Sequence, residues 1–157
     1  MKKICCFTGH SKLYGEDFLW NALLEELEKG IITEQMEEFW VGNYGQFDGM
    51  AARAVRKLKE KYPQITLFLV IPYLTKEINT EKERYYRDYD GILMADLPEN
   101  TPSKFKIIKC NQYMIQNAQH LICFVKYRWG GAGQTLEYAQ KQRHITISNL
   151  AEKKHRN

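Results

Sequence analysis

The sequence has neither a long hydrophobic run nor a cysteine motif. None of its 157 residues belong to an apolar stretch near the length that a transmembrane helix needs. The first ten residues, MKKICCFTGH, hold too short an apolar segment for a signal peptide. The four cysteines form no CxxC pair, so neither a zinc site nor a disulfide framework is predicted. We therefore expect a soluble, cytoplasmic and reduced protein that has no membrane partner and binds no metal.

Two common nucleotide-binding signatures are also missing. The GxxxxGK[ST] pattern is absent, and the loop WGGAGQT has neither GxGxxG spacing nor an acidic residue on a following strand. ATP hydrolysis and NAD-dependent hydride transfer are therefore disfavoured, and no cofactor is predicted. The net charge of +4 is modest. No basic stripe with interleaved aromatic residues is present, so nucleic acid is not an expected partner.

Short apolar runs alternate with amphipathic segments along the chain. The runs typical of strands are 3–9, 38–42, 65–73, 91–96, 120–125 and 144–148. The segments typical of helices are 16–29, 48–62, 81–89, 105–117 and 134–142. This alternation predicts a Rossmann-like, doubly wound α/β fold with a mostly parallel sheet and helices on both faces. We expect one domain over residues 1–150 and a basic flexible tail over residues 151–157.

Three of the loops expected at the carboxyl ends of the strands are rich in glycine. They are TGHS (8–11), GNYGQFDG (42–49) and WGGAG (129–133). Ligands of doubly wound sheets bind at this edge, and unpaired amides at a helix start bind anions without a basic side chain. The three loops together predict a composite site for a phosphate group.

Asp48 lies where the second helix is expected to begin. A carboxylate at this position is either a helix cap or a functional group. As a functional group it would accept hydrogen bonds from ribose hydroxyls or act as a base. Both interpretations stay open at this point.

Five motifs in the same order resemble those of the SLOG superfamily, and more narrowly its YpsA-like branch. They are CCFTGH, GNYGQFDGMAA, LKEKYPQITLFLVIPY, CNQYM and GGAGQTLEYAQK. The resemblance extends over nearly the whole chain and implies a Rossmann-like domain for nucleotide-derived ligands. The superfamily also includes LOG-type phosphoribohydrolases, which release the base from a nucleoside 5'-monophosphate, and DprA-type proteins, which load single-stranded DNA.

The resemblance to LOG enzymes assigns a role to the last glycine loop. Gly130, Gly131, Gly133 and Glu137 match the glycines and the glutamate of the LOG motif GGxGTxxE. Glu137 and Asp48 are therefore the candidate catalytic residues for cleavage of an N-glycosidic bond.

Other positions depart from the family patterns. Gln134 stands where LOG enzymes have threonine, with Thr135 one place later. Cys110 and Ser11 stand where arginines are expected, whereas Asn111 fits the YpsA-like pattern. An arginine fork that holds a phosphate can contribute several kcal/mol in a dry site, on the order given for charge-assisted contacts. Its loss weighs against hydrolysis.

These observations favour a module that binds a small nucleotide-like ligand, in a sensing or regulatory role. The alternatives are a LOG-like phosphoribohydrolase using Glu137 and a DprA-like nucleic-acid binder, so whether the protein is an enzyme is left open. An aromatic content of 13% leaves a homo-oligomer open as well. The candidate ligand-binding residues are Thr8, Gly9, His10, Gly42, Gly45, Phe47, Asp48, Pro72, Asn111, Gly130, Gly131, Gly133, Gln134 and Thr135.

Overall fold

The computed structural model describes residues 2–153 as an α/β fold with a six-stranded sheet. The strands are β1 (Lys3–Gly9), β2 (Met36–Val41), β3 (Thr66–Ile71), β4 (Gly91–Met94), β5 (His120–Phe124) and β6 (Thr146–Asn149). The helices are α1 (Leu19–Thr33), α2 (Gln46–Lys61), α3 (Lys76–Thr80), α4 (Lys82–Asp88), α5 (Lys106–Asn117), α6 (Gly130–Gln140) and α7 (Leu150–Lys153). A short 3-10 helix, Ser103–Phe105, precedes α5.

The sheet has one point at which the order of its strands reverses. The order is β4-β3-β2-β1-β5-β6, and every neighbouring pair is parallel. The chain therefore builds outward from β1 to β4 and then returns to place β5 on the other side of β1. The predicted doubly wound, Rossmann-like fold is confirmed. In sheets of this kind ligands bind where the strand order reverses, which here lies between the carboxyl ends of β1 and β5.

Two hydrophobic cores cover the two faces of the sheet. The adjacent residues Cys5 and Cys6 show the alternation, because side chains along a strand point to opposite faces. Cys5 belongs to the core that α1 and α2 cover, and Cys6 belongs to the core that α5 and α6 cover. All four cysteines are buried and unpaired. Parallel strands covered on both faces explain why the apolar runs are continuous.

Two helices begin earlier than their apolar patterns predict. Helix α6 starts at Gly130 and not at Gln134, so the glycine loop itself forms the first turn. Helix α2 starts at Gln46, and its N-cap is Gly45 and not Asp48. Glycines contribute no apolar periodicity, so the sequence pattern detects only the later turns of α6. In α2 the two residues before Asp48, Gln46 and Phe47, are already helical.

The C-terminal part of the described chain is helical. Helix α7 contains residues 151–153, which the sequence assigns to the tail, and Ala151 packs against the core beneath α1. Residues 154–157, the rest of the predicted tail, lie outside the described residues. Across residues 2–153, no helix has both the length and the apolar character that crossing a bilayer requires.

Candidate functional site

A cleft of about 310 Å³ opens where the strand order reverses, beyond the carboxyl ends of β1 and β5. Its walls are the loop after β1, the start of α2, one face of α5 and the loop that leads into α6. The predicted ligand-binding residues that line it are Thr8, Gly9, His10, Asp48, Asn111, Gly130 and Gly131. The structure thus brings together residues from four separate parts of the sequence.

Other predicted residues shape the loops around the cleft and do not line it. Phe47 is fully buried in the core and stacks on Phe124, with ring centroids 6.3 Å apart. A Cβ at Gly45 would overlap the Cα of Ser11, so glycine allows the loops after β1 and β2 to meet. A Cβ at Gly42 would lie 3.3 Å from a carboxylate oxygen of Asp48.

Pro72 and three residues of α6 also have positions outside the cleft lining. Pro72 is buried after β3, and Gln134 is exposed on α6. Thr135 is buried and donates a hydrogen bond to the backbone oxygen of Gly131 at 2.9 Å. Gly133 approaches the carbonyl of Arg128 so closely that a Cβ would overlap it. The hydrogen bond of Thr135 and the close approach at Gly133 help to fix the first turn of α6.

The amides at the start of α6 are available to a ligand. Trp129 is the N-cap residue, and its side chain makes no capping hydrogen bond. The next residue, Gly130, has a φ of 86°, which glycine adopts without strain. Within the described chain, the N–H groups of Gly130, Gly131 and Ala132 make no hydrogen bond outside the helix. Three unpaired donors and the positive end of the helix dipole therefore face the cleft.

The first amides of α2, by contrast, are already occupied. The N–H of Gln46 donates to the carbonyl of Ser11 at 2.8 Å, and the N–H of Phe47 donates to the carbonyl of His10 at 3.4 Å. These bonds attach α2 to the loop after β1. Of the two helix starts that the sequence predicted as anion sites, that of α6 has its first three donors free, whereas the first two donors of α2 are paired.

Asp48 lies in the first turn of α2 and lines the cleft. Its Oδ2 accepts a hydrogen bond from the backbone N–H of Tyr44 at 3.0 Å. Burial raises the pKa of Asp48 to about 6 from an ordinary 3.8, although the Tyr44 amide opposes the rise. A carboxyl group that titrates near neutral pH inside a cleft is typical of functional sites.

Two further side chains face Asp48 or share its cleft. Burial, and then the charge of Asp48, raise the pKa of Cys110 to about 12, so this residue is a neutral thiol. Asn111, on the next position of α5, lines the cleft, and its side-chain amide makes no hydrogen bond to the described residues. Besides the backbone N–H groups of α6, the cleft therefore contains the side-chain amide of Asn111, which has no hydrogen-bond partner, and the carboxyl group of Asp48, which has no cation beside it.

Three aromatic rings form a continuous stack along one wall. The rings of His10 and Tyr127 lie 4.0 Å apart at 13°, and those of Tyr127 and Trp129 lie 4.3 Å apart at 18°. His10 is 5% exposed, whereas Trp129 is 73% exposed, so the stack runs from the interior to the surface. Offset rings at these distances attract one another and present a flat outer face.

Sequence reasoning missed Tyr127, and it did not include Trp129 among the ligand-binding residues. A signal was present, because two aromatic residues, Tyr127 and Trp129, stand two positions apart directly after a predicted strand and before the glycine loop. The contact of Tyr127 with His10 joins positions more than a hundred residues apart, and no local pattern reports it.

His10 is a neutral ring that holds the loop before α6. Its Nε2 accepts a hydrogen bond from the backbone N–H of Lys126 at 2.8 Å. Burial, and then the nearby Lys126 charge, lower the pKa of His10, although Glu16 opposes this. Since Nε2 is an acceptor, the ring proton is on Nδ1. With His10 neutral and no lysine or arginine in the lining, the cleft has no positively charged side chain.

Glu137 does not line this cleft. It lines a second cavity of about 410 Å³ together with residues of the β5–α6 loop and α7. Its side chain is 56% exposed and lies 4.0 Å from Lys141 Nζ, one helical turn away. The structure therefore separates the two candidate catalytic residues, with Asp48 in the cleft and Glu137 in the other cavity.

Comparisons with known proteins agree with this architecture. No protein-family model matches the chain, and no curated protein matches it in sequence. Among solved structures, the chain is similar to DNA processing protein A (DprA) from Streptococcus pneumoniae, with a TM-score of 0.63 and 15% identity. The likeness shows a shared fold.

The similarity to DprA has clear bounds. It covers 93% of this chain and 49% of the DprA chain, so the chain spans about half the length of that protein. The match agrees with the Rossmann-like fold expected from the sequence. At 15% identity the likeness concerns the fold alone.

Proposed function

We propose that the cleft binds a nucleotide or a nucleotide-derived phosphate and that the protein acts in sensing or regulation. One observation carries the proposal: free amides at the start of α6 and the His10–Tyr127–Trp129 stack line the same cleft. A phosphate and a nucleobase need these two kinds of surface.

The phosphate belongs at the first turn of α6. Backbone N–H groups at a helix start bind phosphate without basic side chains, by direct hydrogen bonds and through the helix dipole. The N–H groups of Gly130, Gly131 and Ala132 are the donors of this turn. A cleft with no lysine or arginine suits a ligand with few charges better than a polyphosphate.

The base belongs on the exposed face of Trp129. Stacking of a base on an aromatic ring contributes about 1–3 kcal/mol and tolerates any base. Asp48 and the free amide of Asn111 lie in the same cleft and supply an acceptor and a donor for the sugar. We expect Asp48 to accept from the ribose hydroxyls.

Calorimetric titration tests this proposal with AMP, ADP-ribose and NAD, and with adenosine and inorganic phosphate as partial ligands. We expect a phosphorylated nucleoside to bind at least tenfold more tightly than adenosine. Trp129→Leu should weaken binding by about tenfold, by loss of stacking. Tyr86→Leu is the matched control, because Tyr86 is 60% exposed and lies outside the cleft. If none of these compounds binds, the proposal is wrong.

A second candidate is hydrolysis of a nucleoside 5'-monophosphate, and the position and raised pKa of Asp48 favour it. A carboxylate with a pKa of about 6 can act as a general acid or base near neutral pH. The test is release of free base from a panel of nucleoside monophosphates, with Asp48→Asn as the inactive variant. Binding without base release by the unaltered protein would exclude hydrolysis and leave the first proposal standing.

Single-stranded DNA is a third ligand to test. The structural neighbour is a DNA processing protein, which does not fit the sequence-based expectation that nucleic acid is an unlikely partner. Gel shifts over a salt series decide this, because contacts to several phosphates make affinity fall steeply as salt rises. We expect weak binding of an oligonucleotide and a shallow salt dependence, since the cleft is lined by no basic residue.

A further inference from the structure

The outer strand β4 has an open edge on the side away from β3. It is the last strand in the order of the sheet, and within the described chain it pairs with β3 alone. The N–H of Ala95, directly after β4, donates to the carbonyl of Ile71 at 2.8 Å. Alternate residues of a strand bond to the same neighbour. Leu93 therefore also bonds to β3, whereas Ile92 and Met94 direct their N–H and C=O groups outward.

The sequence of β4 does not protect this edge. Edge strands that stay unpaired often carry a charged residue, a proline or a bulge. The four residues of β4 are GILM, and their register with β3 is regular. A strand this short offers few backbone bonds, so a stable complex also needs side-chain contacts.

An apolar groove beside the edge supplies a surface for such contacts. Its volume is about 250 Å³, and Ile92 and Met94 line it together with Leu74, Ile78 and Tyr86. Leu74 and Met94 are each 55% exposed and Tyr86 is 60% exposed, so a side chain from outside can reach them. The two residues that direct backbone groups outward are thus the same two that β4 contributes to the groove.

The charge beside the groove favours an acidic partner. Among the described residues that line the groove, Lys82 is the only charged one. Lys82 is exposed, and its ammonium group makes no ion pair within residues 2–153. Complementary charge directs a partner to a surface and fixes its register. A segment with an apolar and an acidic side chain on the same face complements this surface.

We propose that the β4 edge and this groove bind an extended peptide segment of a partner protein, which adds to the sheet as a seventh strand. Its backbone pairs with Ile92 and Met94, and an apolar side chain enters the groove. An acidic side chain two residues away, on the same face, lies at Lys82. Peptides that add to a sheet edge gain affinity from backbone bonds and specificity from pockets for alternate side chains. No residue lines both this groove and the proposed nucleotide cleft.

Two acetylated heptapeptides, TVTLTET and its reverse TETLTVT, test the proposal for both strand directions. The readout is hydrogen exchange of the backbone amides, followed by NMR. At saturation we expect one peptide to slow exchange at Ile92 and Met94 by about tenfold or more, because their amides gain partners. The amides of Leu93 and Ala95 already have partners in β3 and should change less. If neither peptide slows exchange at Ile92 and Met94, the proposal is wrong.

Charge reversal assigns the acidic contact to Lys82. Lys82→Glu should weaken the bound peptide about threefold, on the scale of an exposed ion pair. Replacing the glutamate of the peptide by lysine should restore the affinity for this variant. A charge-swapped pair that binds no better than Lys82→Glu with the original peptide would contradict the assignment.

A substitution in the groove assigns the apolar contact. Met94→Glu should weaken the peptide about tenfold, by loss of apolar contact area. Ile32→Glu is the matched control, because Ile32 is 60% exposed on α1 and does not line the groove. Equal effects of the two substitutions would contradict the groove as the binding surface.

A second copy of this chain is the competing occupant of the edge. Sedimentation velocity of the protein without peptide separates the two cases. We expect the unaltered protein and Met94→Glu to have the same mass in solution. A dimer that Met94→Glu dissociates would assign the edge to self-association and overturn the proposal.

Discussion

His10 Nε2 and the backbone N–H of Lys126 are joined by a hydrogen bond of 2.8 Å across the crevice between β1 and β5. The bond ties the end of β1 to the loop that carries Tyr127 and Trp129. Because His10 also stacks on Tyr127, one buried ring sets both the position of this loop and the wall of the cleft.

Replacing His10 by phenylalanine should keep a ring beside Tyr127 and lose the acceptor for Lys126. We expect a loss of about 1 kcal/mol in the free energy of unfolding, because a backbone donor loses its partner. Nucleotide affinity should fall at the same time. Chemical denaturation and calorimetric titration measure the two effects.

His144→Phe is the control for the His10 variant. His144 Nε2 contacts the carbonyl of Ile115 at 2.9 Å, and His144 does not line the cleft. It should lower stability to a similar degree without changing nucleotide affinity. An equal loss of affinity in both variants would show that His10 has no special role in the cleft.

Replacing Asp48 by asparagine should stabilise the protein at neutral pH. The folded-state pKa of about 6 lies above the ordinary 3.8. Between these two pH values the native state therefore holds a proton that the unfolded state has already lost. Stability from this group is present at low pH and is lost as pH rises through about 6. We expect Asp48→Asn to be about 1–3 kcal/mol more stable than the unaltered protein at pH 8.

Urea denaturation between pH 4 and pH 8 measures the effect of Asp48. The difference between the two proteins should be smallest near pH 4, where the carboxyl is protonated in the native state and is titrating in the unfolded state, and should grow up to about pH 7. A difference that does not change with pH would mean that Asp48 has an ordinary pKa.

Gly130 and Gly131 should respond differently to alanine. Gly130 has a φ of 86°, and an alanine there should cost about 1–2 kcal/mol in stability. Gly131 is helical, and a Cβ there would meet no atom within 4 Å. Gly131→Ala should therefore stabilise the protein by about 0.5–1 kcal/mol, from helix propensity. Thermal denaturation of the two alanine variants checks both expectations. Similar changes in stability would contradict the different backbone conformations of Gly130 and Gly131.

Glu137→Gln should leave nucleotide affinity unchanged within about twofold, a difference well under 1 kcal/mol. The reason is that Glu137 lines the second cavity and not the cleft. Asn111→Ala should weaken the same ligand, because its free amide lines the cleft. Calorimetric titration of both variants checks the two expectations. A large loss of nucleotide affinity in Glu137→Gln would place this residue at the ligand.

Much of the fold could be predicted because strands buried on both faces are continuous apolar runs. The 120–125 run predicted β5, observed as His120–Phe124, and 3–9 predicted β1. The start of α6 was placed four residues too late, since its first turn is made of glycines. The predicted helical segment 81–89 is observed as α4, Lys82–Asp88. The pattern missed the short helix α3 before it, which begins where Thr75 accepts a hydrogen bond from the N–H of Ile78.

The sequence by itself determined the alternating fold, the edge of the sheet where loops converge and the glycines that these loops need. It also pointed to Thr8, His10, Asp48, Asn111 and Gly130, which all line the cleft. Only the tertiary structure decided which helix start has free amides, because the carbonyls of Ser11 and His10 occupy the first amides of α2. The tertiary structure also placed Glu137 and Asp48 in different cavities and stacked His10 on Tyr127. These relations depend on packing between distant segments, which local periodicity does not encode.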